Sequence, residues 1–127
     1  MKVLIDSSGW IEYFTGGRLA EEYASYVTKR VVLITPTIVV YEVYKKIKRE
    51  RGEEVAMLVA SQLNGTGVIS LSSSTALLAA DISLQHRLAM ADAIVYATAQ
   101  EQGAQLITSD ADLKDLPNVV YLPVKSV

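Results

Sequence analysis

Apolar residues occur along the chain in short continuous runs that alternate with longer segments of helical periodicity. Five runs rich in β-branched residues predict buried strands, at residues 3–5, 31–34, 68–71, 106–108 and 119–122. The segments between them predict helices, at residues 10–14, 19–29, 36–51, 53–63, 75–87 and 90–102. Short strands separated by helices favour an α/β fold, a three-layer α/β/α sandwich with a central parallel sheet.

The length and composition predict one folded unit. With 127 residues, 50 % of them hydrophobic, the chain is long enough to bury a single core, so we expect one domain over residues 1–127. No apolar run approaches the roughly 18 to 20 residues that a membrane-spanning helix requires. The start of the chain also lacks the long apolar stretch of a signal peptide. These features predict a cytoplasmic protein with no membrane partner.

The residue types restrict the chemistry. The chain has no cysteine and a single histidine, which excludes thiol nucleophiles, thiolate metal sites and His-rich zinc centres. Any catalysis must therefore use carboxylates, hydroxyls or cations. A net charge of −2 does not favour bulk electrostatic coating of nucleic acid. Lys45, Lys46 and Arg49 nevertheless share one predicted helix, where they are either RNA contacts or part of a solvated face.

Four acids are predicted to meet at the sheet edge where parallel strands end, which is where open sheets bind ligands. Asp6 and Asp110 follow the first and fourth predicted strands. Glu42 lies in the second turn of the helix after the second strand, and Asp92 lies in the first turn of the helix before the fourth. Each acid also has an ordinary structural explanation. Asp6 and Asp110 could cap helices, Asp92 could interact with a helix dipole, and Glu42 could pair with Lys46.

The apolar neighbours of Glu42 and Asp92 favour a metal site over these explanations. Both acids fall on predicted inward helix faces, and a buried carboxylate needs a compensating partner. No lysine or arginine is next to Asp6, Asp92 or Asp110 in sequence. A hard cation such as Mg²⁺ or Mn²⁺ would satisfy the four acids. Such ions support hydrolysis of phosphodiester bonds without histidine.

Further polar residues flank the predicted metal site. Thr108, Ser109 and Asp112 surround Asp110 and either support the site, with an occasional direct ligand among them, or cap the short helix that follows. Ser7 offers a hydroxyl or a backbone amide to a phosphate at the start of the first helix. We therefore treat all four as candidate supporting residues.

In four motifs the chain resembles the PIN-domain family, and especially the VapC-type toxins of toxin–antitoxin pairs. The resemblance covers essentially the whole length and rests on an apolar strand ending in Asp-Ser, a single inward Glu on a helix, an Asp-Ala-Ile helix and a Thr-x-Asp-x-Asp segment. Here these are Val3-Leu4-Ile5-Asp6-Ser7-Ser8, Glu42, Asp92-Ala93-Ile94-Val95-Tyr96-Ala97-Thr98-Ala99 and Thr108-Ser109-Asp110-Ala111-Asp112. The four matches occur in the family's order.

The resemblance implies a parallel sheet of order 3-2-1-4-5, Mg²⁺ or Mn²⁺ held by Asp6, Glu42, Asp92 and Asp110, and cleavage of single-stranded RNA. It also implies a small antitoxin partner and a homodimer or higher oligomer. Two other functions stay open: a housekeeping PIN nuclease without an antitoxin, and a non-catalytic binding module with a PIN-like fold. A phosphoacceptor signalling domain is disfavoured, because the third predicted strand is followed by serines rather than by an aspartate.

Overall fold

The computed structural model describes residues 1–28 and 30–124. Its strands are β1 (Lys2–Ile5), β2 (Val32–Pro36), β3 (Gly67–Ile69), β4 (Gln105–Thr108) and β5 (Val119–Tyr121). Its α-helices are α1 (Ser7–Thr15), α2 (Ala20–Thr28), α3 (Thr37–Arg51), α4 (Glu53–Asn64), α5 (Ser73–His86) and α6 (Met90–Gln102), and one 3-10 turn spans Ala111–Leu113. None of the helices in these ranges combines the length and apolar character needed to traverse a bilayer.

The five strands form one parallel sheet in the order β3-β2-β1-β4-β5. The α/β class and the strand order expected from the resemblance are therefore confirmed. Strand β1 lies in the middle, and its Val3, Leu4 and Ile5 are fully buried. Because Ile5 pairs with Ile107 in β4, the residues that follow these two strands emerge side by side at the carboxyl edge.

Two pairs of helices connect β2 to β3 and β3 to β4. Helices α3 and α4 pack against each other between β2 and β3, and α5 and α6 do so between β3 and β4. Gly52 joins α3 to α4 with a φ of 88°, a value that disfavours side chains with a Cβ. Each pair returns the chain to the sheet, so that α6 begins near the edge where β1 and β4 end.

Some predicted boundaries were wrong for identifiable reasons. Helix α1 begins at Ser7 rather than at residue 10, because the side chain of Asp6 caps it. Strand β3 ends at Ile69, whereas the prediction extended it to residue 71. It is an edge strand that pairs only with β2, and its last paired residue faces Pro36. The predicted end of the second helix, Lys29, lies outside the described residues, as do residues 125–127 of the predicted domain.

Candidate active site

Asp6 connects the central strand to the first helix. Its side chain is 4 % exposed, and its Oδ1 atom accepts hydrogen bonds from the Ser8 hydroxyl at 2.7 Å and from the Gly9 amide at 3.2 Å. Its Oδ2 atom accepts a hydrogen bond from the Thr108 hydroxyl at 2.5 Å. A carboxylate offers about four acceptor positions, so three donors orient this group and leave it able to bind one more partner.

The segment after β4 is fixed to the same carboxylate. The Thr108 hydroxyl, which donates to Asp6, accepts a hydrogen bond from the Asp110 amide at 2.9 Å. The Ser109 amide donates to the Ser8 hydroxyl at 3.0 Å. Thr108 and Ser8 thus join the ends of β1 and β4, and they set the position from which Asp110 extends.

Three further carboxylates converge beside Asp6. Asp92 lies in the first turn of α6, and Asp110 and Asp112 lie at the 3-10 turn after β4. One carboxylate oxygen from each lies within 4.8 Å of the others. We call these three residues the acidic cluster. Asp6 and Asp110 also cap helices, since Asp6 accepts from Gly9 and Asp110 accepts from the Asp112 amide at 2.9 Å. Asp6 and Asp110 therefore have both roles: each caps a helix, and each lies at the acidic site.

Burial and mutual repulsion change the protonation of this site. Burial, followed by a hydrogen bond with Asp110 and by the charges of Asp110, Asp6 and Asp112, raises the pKa of Asp92 from 3.8 to about 7. Burial likewise raises the pKa of Asp6, opposed by the hydrogen bonds it accepts from Thr108, Ser8 and Gly9. In the metal-free protein, Asp92 is therefore protonated more readily than an ordinary aspartate.

This set of donors fits a hard divalent cation. Carboxylate oxygens are the ligands that Mg²⁺ and Mn²⁺ prefer. Burial and the neighbouring carboxylates raise the pKa of Asp92, and a cation bound among these groups would offset both effects. Asp92, Asp110 and Asp112 would hold the ion, with Asp6 beside them.

Glu42 lies outside the acidic cluster. It is half-buried on α3 and lines a cavity of about 280 Å³ that we call the basic cavity, together with Ser7, Ile11, Tyr41, Lys45, Lys46 and Arg49. The fully buried residues of α3 are Val39, Val43 and Ile47, which share one face of the helix. Glu42 lies at the border of that face. Lys46, the alternative partner of Glu42, forms its ion pair with Glu50 at 3.2 Å.

The four candidate supporting residues are divided between the acidic site and the basic cavity. Thr108 bonds directly to Asp6, and Asp112 is an exposed member of the acidic cluster. Ser7 lines the basic cavity instead. Ser109 contributes its amide to Ser8, and its hydroxyl lies 2.6 Å from the hydroxyl of Tyr23.

Two residues of the site were not among the candidates that the sequence analysis identified. Ser8 stands two positions after Asp6 in the Asp-Ser-Ser motif, and that spacing was a usable signal, because hydroxyls near an Asp cap often bond to it. Tyr23 is a buried residue of α2 whose hydroxyl reaches Ser109 across 86 positions. Nothing local in the sequence indicates that contact.

Comparison with known proteins agrees with this geometry. The model of the PIN domain family matches residues 3–119, so the chain belongs to the PIN-domain family. A toxin–antitoxin complex from Klebsiella pneumoniae contains a chain with 26 % sequence identity and a TM-score of 0.79, and the alignment covers 93 % of this chain and 95 % of that chain. The predicted membership of the PIN-domain family is thereby confirmed, and the chain is similar to a component of a toxin–antitoxin complex.

Two more distant structures share the fold. VapC20 from Mycobacterium tuberculosis, described as a sarcin–ricin loop cleaving toxin, has 20 % identity and a TM-score of 0.74 over 87 % of this chain and 91 % of that chain. VapBC2 from Rickettsia felis, bound to a DNA fragment from its promoter, has 12 % identity and a TM-score of 0.76 over 98 % of this chain and 100 % of that chain. None of the curated protein sequences matches the chain at a significant level.

Proposed function

We propose that this protein is an endoribonuclease that uses Mg²⁺ or Mn²⁺ to hydrolyse phosphodiester bonds of single-stranded RNA, and that it is the toxin of a VapBC-type pair. The observation that carries the proposal is the convergence of Asp92, Asp110 and Asp112 within 4.8 Å, next to the buried carboxylate of Asp6. Family membership and the toxin descriptions of the similar structures support it.

The residues of the site have distinct parts in this proposal. Asp92, Asp110 and Asp112 bind the ion, and Asp6, oriented by Thr108 and Ser8, completes the negative surface around it. A divalent ion held there supplies Lewis-acid chemistry, because it lowers the pKa of a water and stabilises charge on phosphoryl oxygens. Hydrolysis forms one bond between the water oxygen and phosphorus and breaks the bond between phosphorus and the leaving ester oxygen. One proton of the water ends on that oxygen, which departs as a hydroxyl group. The roles of Asp6 and Glu42 as further ligands stay predictions.

The experiment that tests the proposal is cleavage of labelled single-stranded RNA in EDTA, Mg²⁺ or Mn²⁺. The wild-type protein is compared with an Asp6→Asn, Asp92→Asn double variant. A matched control replaces two exposed acids elsewhere, Asp81→Asn and Glu54→Gln. We expect metal-dependent cutting by the wild type and the control and none by the site variant. The proposal would be contradicted by a folded wild-type protein that cuts RNA in neither EDTA, Mg²⁺ nor Mn²⁺ and whose melting temperature does not change when Mn²⁺ is added.

A small antitoxin and a homodimer complete the proposal. The antitoxin is expected to place a basic side chain among the carboxylates of the acidic cluster, where it would compete with the metal. Co-purification with the product of a neighbouring short gene, followed by light scattering of the free toxin, tests both expectations. A chain that cuts RNA but has no such neighbour would be a housekeeping nuclease instead.

A further inference from the structure

The basic cavity lies directly beside the proposed cleavage site. Its lining begins at Ser7, the residue after Asp6, and includes Glu42. The other charged groups on its wall are three cations of α3, Lys45, Lys46 and Arg49, and Tyr41 adds a hydroxyl. Lys46 and Arg49 also pair with Glu50, at 3.2 Å and 3.6 Å. Three cations therefore stand against two carboxylates, Glu42 and Glu50, around an opening that starts at the residue after Asp6.

Tyr41 stands at the rim of this cavity with its ring largely in water. The residue is 61 % exposed. The Lys45 ammonium lies 3.3 Å from the Tyr41 hydroxyl and 5.5 Å from the ring centre. The ammonium makes a cation–π contact near the hydroxyl end of the ring. The exposure of the residue leaves further ring surface accessible to a planar ligand. Ring and cations thus face the same solvent-filled space.

A second pair on the same helix has the same spacing but a different environment. Lys48 lies 3.4 Å from the Tyr44 hydroxyl and 5.5 Å from its ring centre. That hydroxyl also contacts the Met57 sulfur of α4 at 3.9 Å, and Lys48 forms an ion pair with Glu53 at 3.4 Å. The Tyr44 pair therefore links α3 to α4. Among the ion pairs of residues 1–28 and 30–124, none involves Lys45.

We propose that Tyr41, Lys45, Lys46 and Arg49 form a binding subsite for a single-stranded segment of nucleic acid next to the cleavage position. One base stacks on the Tyr41 ring, and the backbone phosphates on either side contact the three cations. Stacking of this kind requires an unpaired base, which is why the subsite selects single strands. The inference rests on the proposed function for the identity of its ligand. An acidic peptide would use the cations but gain little from the ring.

Binding measured without cleavage tests the subsite. The probe is a fluorescent single-stranded RNA of about eight nucleotides, titrated with each protein in EDTA at several salt concentrations. We expect Tyr41→Leu to weaken binding about tenfold and Tyr41→Phe to restore nearly all of it, because phenylalanine keeps the ring. An RNA that lacks the stacking base should bind the wild type and Tyr41→Leu equally.

The two lysines provide a matched comparison for the phosphate contacts. Lys45→Gln should weaken binding and lower the slope of log affinity against log salt by about one. Lys48→Gln, at the same spacing from its own tyrosine, should leave both unchanged. Since Lys45 and Tyr41 are both exposed, these variants are expected to fold, and equal melting temperatures check that they do.

The subsite would be overturned if Tyr41→Leu bound RNA as tightly as the wild type, or if Lys45→Gln and Lys48→Gln had the same RNA affinity and salt dependence. It would also be overturned if the affinity for an oligoglutamate peptide depended on Tyr41 as much as the affinity for RNA does. Failure of the proposed nuclease is distinguishable from these. A protein that binds RNA through Tyr41 but never cuts keeps the subsite and loses the activity. A protein that cuts RNA with no dependence on Tyr41 keeps the activity and loses the subsite.

Discussion

The Thr108 hydroxyl donates a 2.5 Å hydrogen bond to the Asp6 carboxylate across 102 positions of the chain. Both residues are buried, and they follow or end neighbouring strands of the sheet. The same hydroxyl accepts a hydrogen bond from the Asp110 amide. One hydroxyl thus positions the carboxylate that follows β1 and the loop that carries two members of the acidic cluster.

Replacing Thr108 by valine should damage both stability and metal binding. The change keeps the shape of the side chain but leaves the buried Asp6 carboxylate without one of its donors, which costs about 1–3 kcal/mol. Urea unfolding and Mn²⁺ titration calorimetry measure the two effects. Thr98→Val is the control, because the Thr98 hydroxyl is equally buried but bonds only within α6, to the Ile94 carbonyl. Equal metal affinity in both variants would contradict the role given to Thr108.

The Tyr23 hydroxyl is predicted to position the segment after β4 through Ser109. Tyr23→Phe removes the 2.6 Å contact and should lower RNA cleavage and Mn²⁺ affinity several-fold, with a stability loss of about 1 kcal/mol. Tyr96→Phe is matched to it, since that buried hydroxyl donates to the Pro117 carbonyl at 2.9 Å. We expect similar stability losses and a loss of metal affinity only in Tyr23→Phe. Parallel losses in both variants would make Tyr23 purely structural.

The pKa of Asp92 predicts how the stability of the metal-free protein depends on pH. The folded state holds a proton on Asp92 up to about pH 7, whereas an ordinary aspartate has a pKa of 3.8. The resulting stability is fully present below about pH 3.8 and is lost as the pH rises through about 7. In EDTA, wild type should therefore lose stability from pH 5 to pH 8 relative to Asp92→Asn, as urea unfolding would show. A constant difference between the two would refute this assignment.

Metal affinity should change with pH in the opposite direction. The ion must displace the proton held by Asp92, so Mn²⁺ should bind more tightly at pH 8 than at pH 6. Thermal shifts at fixed Mn²⁺ concentration measure this, since a ligand at about 100 times its dissociation constant stabilises the folded state by about 2.7 kcal/mol. Asp110→Asn should abolish the shift. A Mn²⁺ shift that is the same at both pH values would speak against Asp92 as a ligand.

Glu42 provides a separate test, because it lies in the basic cavity rather than in the acidic cluster. Glu42→Gln should reduce Mn²⁺ affinity less than Asp110→Asn does. Removing this carboxylate should also strengthen RNA binding in EDTA, since it takes a negative charge from a wall that contacts phosphates. Calorimetry and anisotropy on the same protein samples decide the point. A loss of metal affinity equal to that of Asp110→Asn would make Glu42 a ligand, as the sequence predicts.

The local sequence pattern was sufficient to place three of the acids at the carboxyl edge of the sheet. Asp6 and Asp110 could be placed because each follows a buried strand of a parallel sheet, and Asp92 because it opens a helix directed at the same edge. The position of Glu42 was harder to predict. Its neighbours are apolar, but a shift of one residue around a helix turns a side chain by about 100°. That shift separates Glu42 from the fully buried Val43.

Contacts between distant segments could not be predicted in this way. Tyr23 is one of several aromatic residues with apolar neighbours, and only the packing of α2 against the end of β4 gives its hydroxyl a partner. The short extent of β3 has a similar origin, because the edge strand ends where its single neighbour stops pairing with it. In both cases the deciding information lies in the tertiary arrangement.

The order of synthesis determines when the acidic site can form. Strand β1 occupies the middle of the sheet and is translated before the other four strands. Its neighbour β4 follows only after strands β2 and β3 and helices α1 to α6. A nascent chain that ends before Gln105 contains Asp6 and Asp92 but has no Thr108, Asp110 or Asp112. On the proposed function, a growing chain therefore cannot cut the RNA of its own ribosome or messenger. On that proposal, cleavage becomes possible only after residues 105–112 have been translated and have joined the sheet edge.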